Sequence, residues 1–142
     1  MESVNPDQAD EAVSRPEGDV YDWYVRGLRL LEGGHPAAAT QLLVRAHHEE
    51  PDARNILEAL ARARLATGHY MQARDDFSHL VSRQPDDDYA RLGLGLALAR
   101  LGELSLASQQ LALAVAMRPD RRDYEKQLRH VRATLKARES LE

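Results

Sequence analysis

From residue 20 to residue 138, apolar side chains recur at three- and four-residue intervals, and no stretch alternates with period two for long enough to make a strand. This pattern predicts helices of about fourteen residues, the ordinary length in globular domains. The first pair spans roughly 20–33 and 36–49, joined at Gly33-Gly34. A last helix covers roughly 120–138, where Tyr124, Leu128, Val131 and Leu135 fall at i, i+4, i+7 and i+11 and form one apolar stripe. Its opposite face carries Arg122, Lys126, Arg129, Arg132 and Lys136.

The pattern also repeats. Pro51, Pro85 and Pro119 stand 34 residues apart, and three further columns keep that step: Gly34, Gly68 and Gly102; Ala39, Ala73 and Ala107; Leu43, Phe77 and Leu111. A fixed period of this size, one helix–turn–helix unit long, marks a repeat architecture. Glycine after the first helix of each pair suits a left-handed cap that a β-carbon would resist. The small column lets helix axes approach, and the large residue four places later fills the space beside them. Asp52, Asp86 and Asp120 each follow the repeat proline and are expected to accept from the free N–H groups of the next helix.

These columns resemble the tetratricopeptide repeat family, whose pattern runs W-x2-L-G-x2-Y, then A-x3-F, then P. Taking Val20, Arg54 and Asp88 as first positions gives repeats 20–53, 54–87 and 88–121. The small residue at position 8 is then Gly27, Ala61 and Gly95, and position 27 is Ala46, Leu80 and Ala114. Trp23 keeps the pattern's tryptophan, but Arg26 and Leu30 replace its leucine and tyrosine, so the aromatic positions are degenerate while the small-residue frame holds. The resemblance implies an all-α, right-handed superhelical solenoid of three antiparallel helix pairs with a capping helix over 122–138. Arg129 sits in the position-8 column, where a partner helix would need a small residue, so the last helix has no partner of its own and closes the stack, as repeat arrays require.

Charge separates the ends from the body. Residues 1–19 hold six acids (Glu2, Asp7, Asp10, Glu11, Glu17, Asp19) against Arg15 alone, with Pro6, Pro16 and Gly18. Such a segment buries too little apolar surface to offset its ordering entropy and is expected to be a disordered acidic tail, with 139–142 a disordered end. The chain's formal charge of −4 therefore belongs to the tail, and the body is near neutral. There is no secretory signal pattern, and the apolar stretch around Leu92–Ala99 is too short to span a bilayer, so a cytoplasmic, membrane-free protein is expected. Seventeen arginines against two lysines suggest a GC-rich bacterial source. The absence of cysteine excludes disulfides and thiolate metal sites.

Candidate chemistry is sparse. In His47-His48-Glu49-Glu50 the adjacent imidazoles point about 100° apart on a helix and cannot share an ion as i, i+4 ligands do. His35 and His69 share the position after the turn glycine, which marks a turn role. Asp86-Asp87-Asp88 lacks the glycine turn and distal glutamate of a calcium loop and reads as a helix-start acid cluster. No nucleophile motif, phosphate loop or dinucleotide fingerprint is present, so no enzyme activity, cofactor or metal is expected.

What remains is a surface. In the resembled family positions 2, 5, 9, 12 and 13 face the concave groove. Here these are Tyr21, Tyr24, Leu28, Leu31 and Glu32; Asn55, Glu58, Arg62, Leu65 and Ala66; and Tyr89, Leu92, Leu96, Ala99 and Arg100. Tyrosine beside arginine dominates protein interfaces, and the expected function is a protein–protein adaptor that takes a partner peptide or helix. For the leucines, packing within the helix pairs is an equal reading. Family members that hold the acidic tails of heat-shock chaperones use a carboxylate clamp of Lys, Asn and Arg. Its five places carry Tyr24, Leu28, Ala59, Tyr89 and Gly93 here, so an apolar or aromatic-bearing peptide is expected instead. Self-assembly through the groove or an open end of the stack is the alternative. Nucleic-acid binding through the last helix is disfavoured, because residues 119–142 hold seven bases against five acids.

Overall fold

A computed structural model describes residues 17–142 of the chain. Among these described residues seven helices follow one another: α1 (Val20–Glu32), α2 (Pro36–Glu49), α3 (Arg54–Ala66), α4 (Tyr70–Arg83), α5 (Asp88–Arg100), α6 (Leu104–Met117) and α7 (Arg122–Glu139). No strand occurs among the described residues. Each helix packs mainly on its neighbours in sequence, and α1, α3 and α5 also meet one another along one side of the stack. The expected all-α solenoid of three antiparallel pairs and a cap is the architecture observed.

The turns inside the pairs are one device used three times. Gly34, Gly68 and Gly102 have φ of 84, 84 and 82°. Around the first, His35 N–H donates to Leu30 at 2.8 Å and Gly34 N–H donates to Leu31 at 3.2 Å; the other two turns repeat both bonds. This 6→1 and 5→2 pairing satisfies carbonyls that the helix end leaves open and turns the chain back on itself. Gly33, by contrast, keeps a φ of −81°, so only the second glycine of that pair is conformationally required.

Between repeats the caps differ from the sequence expectation. The N-cap residues of α3, α5 and α7 are Ala53, Asp87 and Arg121, two places after each proline. Asp52, Asp86 and Asp120 fall one residue early, because the proline and the following aspartate form the turn itself. Asp52 and Asp120 instead pair with Arg83 and Arg118. Asp87 does cap, accepting from Ala90 N–H at 3.0 Å, and it also binds Arg54. Arg54 further donates to the Leu80 carbonyl at 3.2 Å, which ties the two helices of the second repeat together.

Of the acidic tail, residues 1–16 lie outside the described residues. Residues 17–19 are ordered: Asp19 accepts from Asp22 N–H at 2.9 Å while Asp22 accepts from Asp19 N–H at 3.1 Å, a reciprocal capping box. Trp23 Nε1–H donates to the Glu17 carbonyl at 3.1 Å, so the order begins before the repeat frame does. At the other end α7 runs to Glu139, one residue past its expected limit.

The core follows the repeat columns. Ala39, Ala73, Ala107 and Leu43, Phe77, Leu111 are all fully buried. A β-carbon on Gly27 would lie 2.8 Å from Leu43, and one on Gly95 would lie 2.7 Å from Leu111, so position 8 must be small for the pairs to close. Tyr124, Leu128 and Val131 bury the expected stripe of α7, with Leu135 packed beside them.

Candidate interaction groove

Helices α1, α3 and α5 present their sides to a concavity of about 790 Å³, and α7 forms its far wall. The lining combines Leu31, Leu65, Ala66, Leu96, Ala99, Leu104 and Val131 with Tyr70 and Tyr89, and with Arg62, Arg100, Arg138, Gln127, His130 and Thr134. The apolar wall lies toward the glycine turns, where α1, α3 and α5 end. The concavity therefore sits at one end of the inner face rather than along all of it.

Leu31 from repeat 1 and most residues expected on the inner wall from repeats 2 and 3 do meet here, the latter being Arg62, Leu65, Ala66, Tyr89, Leu96, Ala99 and Arg100. The seven others, among them the exposed Glu32, stand apart from it. Tyr21 is 71% exposed and Asn55 is exposed at the start of its helix. Tyr24 and Leu28 are half-buried and pack on the cluster of Ala39, Leu43, Ala59, Leu60 and Ala63. Glu58 is half-buried beside Arg62 and Arg54, and its carboxyl is pushed above the usual range by burial first and by Asp87 second, against the pull of both arginines. Leu92 is a correction: it is buried in the core, because α5 is enclosed by helices on several sides and has no free face at that position.

Tyr89 is also less free than a groove side chain was expected to be. Its ring lies edge-on to Phe77, with centroids 6.5 Å apart and planes at 65°. Burial holds its phenol above the ordinary tyrosine range. Only part of the ring faces the groove, so the residue serves both core and surface. Two of the clamp positions are similarly internal: Ala59 is buried, and Gly93 lies against Phe77.

Arginine placement gives the groove its character. Arg54, Arg64, Arg74, Arg83, Arg118 and Arg121 each pair with an aspartate. Arg62, Arg100 and Arg138 form no such ion pair among the described residues, and no carboxylate lines the concavity. The Arg100 guanidinium lies 5.9 Å from the Tyr70 ring centroid, a cation–π approach, and Arg138 donates to the Gly102 carbonyl at 3.4 Å.

Sequence reasoning missed Tyr70, Leu104 and the contribution of α7. The signal was present: Gln127, Val131, Thr134 and Arg138 recur at i, i+4, i+7 and i+11, a second stripe beside the buried one. Among the described residues no group of three or more His, Asp or Glu side chains converges as a metal site would need, and no helix is long and apolar enough to cross a membrane.

Residues 58–122, which span most of the second and third repeats, match the tetratricopeptide repeat family. Over that span the chain carries tetratricopeptide repeats. Solved tetratricopeptide folds superpose on it closely. A double mutant of MamA from Desulfovibrio magneticus RS-1 does so with a TM-score of 0.77 at 20% identity, covering 83% of this chain and 66% of that one. This chain thus spans about two thirds of that protein's length. The first tetratricopeptide domain of human RPAP3 gives 0.76 at 16% identity, covering 85% of this chain and 95% of that one. The first such domain of Spaghetti (RPAP3), bound to the HSP90 peptide SRMEEVD, gives 0.74 at 16% identity, covering 82% and 92%. Comparison with curated protein sequences yields no match. At these identities the likeness fixes the fold of the repeats, and the groove's chemistry is this chain's own.

Proposed function

We propose that this tetratricopeptide-repeat chain is a non-catalytic interaction scaffold that holds a peptide or helix of another protein in its concave groove. One observation carries the reading: a concavity of about 790 Å³ combines an apolar floor, two tyrosines and three arginines that form no ion pair among the described residues, the composition of a protein-binding hot spot. The peptide held by the similar RPAP3 domain supports it as a use to which this fold is put. Leu31, Arg62, Leu65, Tyr89, Leu96 and Arg100 are the binding residues of this reading, with Arg138 added from α7.

Capture of partner proteins by the immobilised chain tests it. Arg62→Glu with Arg100→Glu is expected to abolish capture while circular dichroism stays unchanged, and Gln72→Ala or Gln109→Ala on the exposed outer surface is expected to be silent. Capture that survives the groove changes moves binding to another face.

Self-association is a second reading and rests on α6. Leu106, Leu113 and Met117 are exposed there, whereas the same columns carry Ala38, Arg45 and Glu49 in the first repeat and Gln72, His79 and Arg83 in the second. A mass that rises with concentration in light scattering, and that returns to the monomer value in Leu106→Gln with Leu113→Gln, is the outcome expected of it.

A further inference from the structure

We infer that the groove selects an acidic partner segment, and that α7, besides closing the stack, supplies part of the anion-reading wall. The inference deepens the groove-binding reading and rests on it. The carboxylate clamp is absent, so the chaperone-tail mode predicts no acidic ligand here; the charge arises elsewhere, from Arg62 on α3, Arg100 on α5 and Arg138 on α7.

Three facts point the same way. No described carboxylate lies within ion-pair distance of any of these guanidinium groups; Glu58, one turn from Arg62 on α3, is the carboxylate whose charge Arg62 feels. Among the described residues no acid lines the concavity, so a bound anion meets no like charge on that wall. Leu65 and Leu96 lie in the same wall and lower the local polarity, which strengthens a guanidinium–carboxylate contact relative to one in open water. Arginine suits the task because its planar fork can take a carboxylate through two parallel N–H bonds. The occupant is therefore an acidic segment of a separate protein with aliphatic residues between its carboxylates: the acids meet the three arginines and the aliphatics meet Leu31, Leu65 and Leu96.

Three peptides of about ten residues, a length that spans a groove of this kind when extended, test the proposal. They share leucine positions and carry Glu, Gln or Lys at the remaining places, and each is titrated into the isotope-labelled full chain by NMR. The Glu peptide is expected to shift amides around Leu65, Leu96, Arg100 and Val131, and to bind ~10-fold more tightly than the Gln peptide at low salt, with the advantage shrinking as salt is added. Arg138→Gln alone is expected to weaken the Glu peptide severalfold and leave the Gln peptide unchanged, a difference that a merely structural role for Arg138 would not produce. Equal groove binding by the Gln or Lys peptide overturns the charge selection and leaves the groove reading standing. Shifts confined to another face, or no shift with any peptide, overturn both. The chain's own acidic segment is the competing occupant: if removing residues 1–16 shifts the same groove amides in the free protein, the groove is already filled from within and the assignment to a separate protein falls.

Discussion

Phe77 is larger than the leucines that fill the same column in the neighbouring repeats, and its extra volume is accommodated by glycine on the next helix. A β-carbon on Gly93 would approach the Phe77 ring to 2.3 Å, well inside contact distance. Gly93→Ala should therefore destabilise the protein by ~1–3 kcal/mol in urea unfolding, and adding Phe77→Leu should recover much of the loss. A neutral Gly93→Ala would show that the ring can move aside. Tyr124 offers a second test at this scale. Its hydroxyl donates to Asp88 Oδ2 at 2.8 Å, and burial, then that bond, pushes the phenol up to about 12. A tyrosine in the unfolded chain ionises near its ordinary value of about 10. Between those two values the unfolded state loses its proton first, so stability is fully retained below pH ~10 and declines as pH rises toward 12. Tyr124→Phe should flatten that decline, measured as the urea midpoint across this window; an unchanged slope would place the alkaline loss in another group.

At the scale of the element, α7 links the stability of the stack to its surface. Its buried stripe packs on α6, and Tyr124 reaches back to Asp88 at the start of α5. The neighbouring stripe of Gln127, Val131, Thr134 and Arg138 lines the groove. Leu128→Ala should cost roughly 2–5 kcal/mol, the range for a large-to-small change in a packed core. Amide exchange should quicken first in α7, because a terminal element opens before the centre of a repeat array. If exchange quickened equally throughout, the array would be behaving as one cooperative unit.

At the scale of the whole molecule, the described contacts nearest the N-terminus are the bonds to the Glu17 carbonyl and the capping box of Asp19 and Asp22. Deleting residues 1–16 removes no described contact, so the thermal midpoint should be unchanged. Deleting through Asp19 should lower stability by ~0.5–2 kcal/mol through loss of the cap. A large drop from the shorter deletion would reveal a docked tail. Far-ultraviolet circular dichroism should report a helix content well above half of the chain, since seven helices fill most of residues 20–139.

Helix lengths, turn glycines, the small-against-large columns and the role of α7 as a cap were legible in the chain, because each depends on residues a fixed distance apart in one repeat. Local geometry repeats with the sequence. The aspartates after the prolines show where that logic stops: residue type favoured capping, but the cap falls one place later, since the turn takes up the residue that propensity had assigned to it. Groove membership was legible only in part. A column position says which side of a helix a residue occupies, not how many neighbours enclose that side. Leu92 shares its column with Tyr24 and Glu58, yet it is buried because α5 is the most enclosed of the inner helices. Tyr70 and Arg138 reach the groove from outside the inner-helix columns. The sequence by itself determined the stack and its spacing. Only the tertiary structure decided where the stack leaves a concavity and which arginines face it outside the ion pairs of the described residues, because both depend on contacts between helices far apart in the chain.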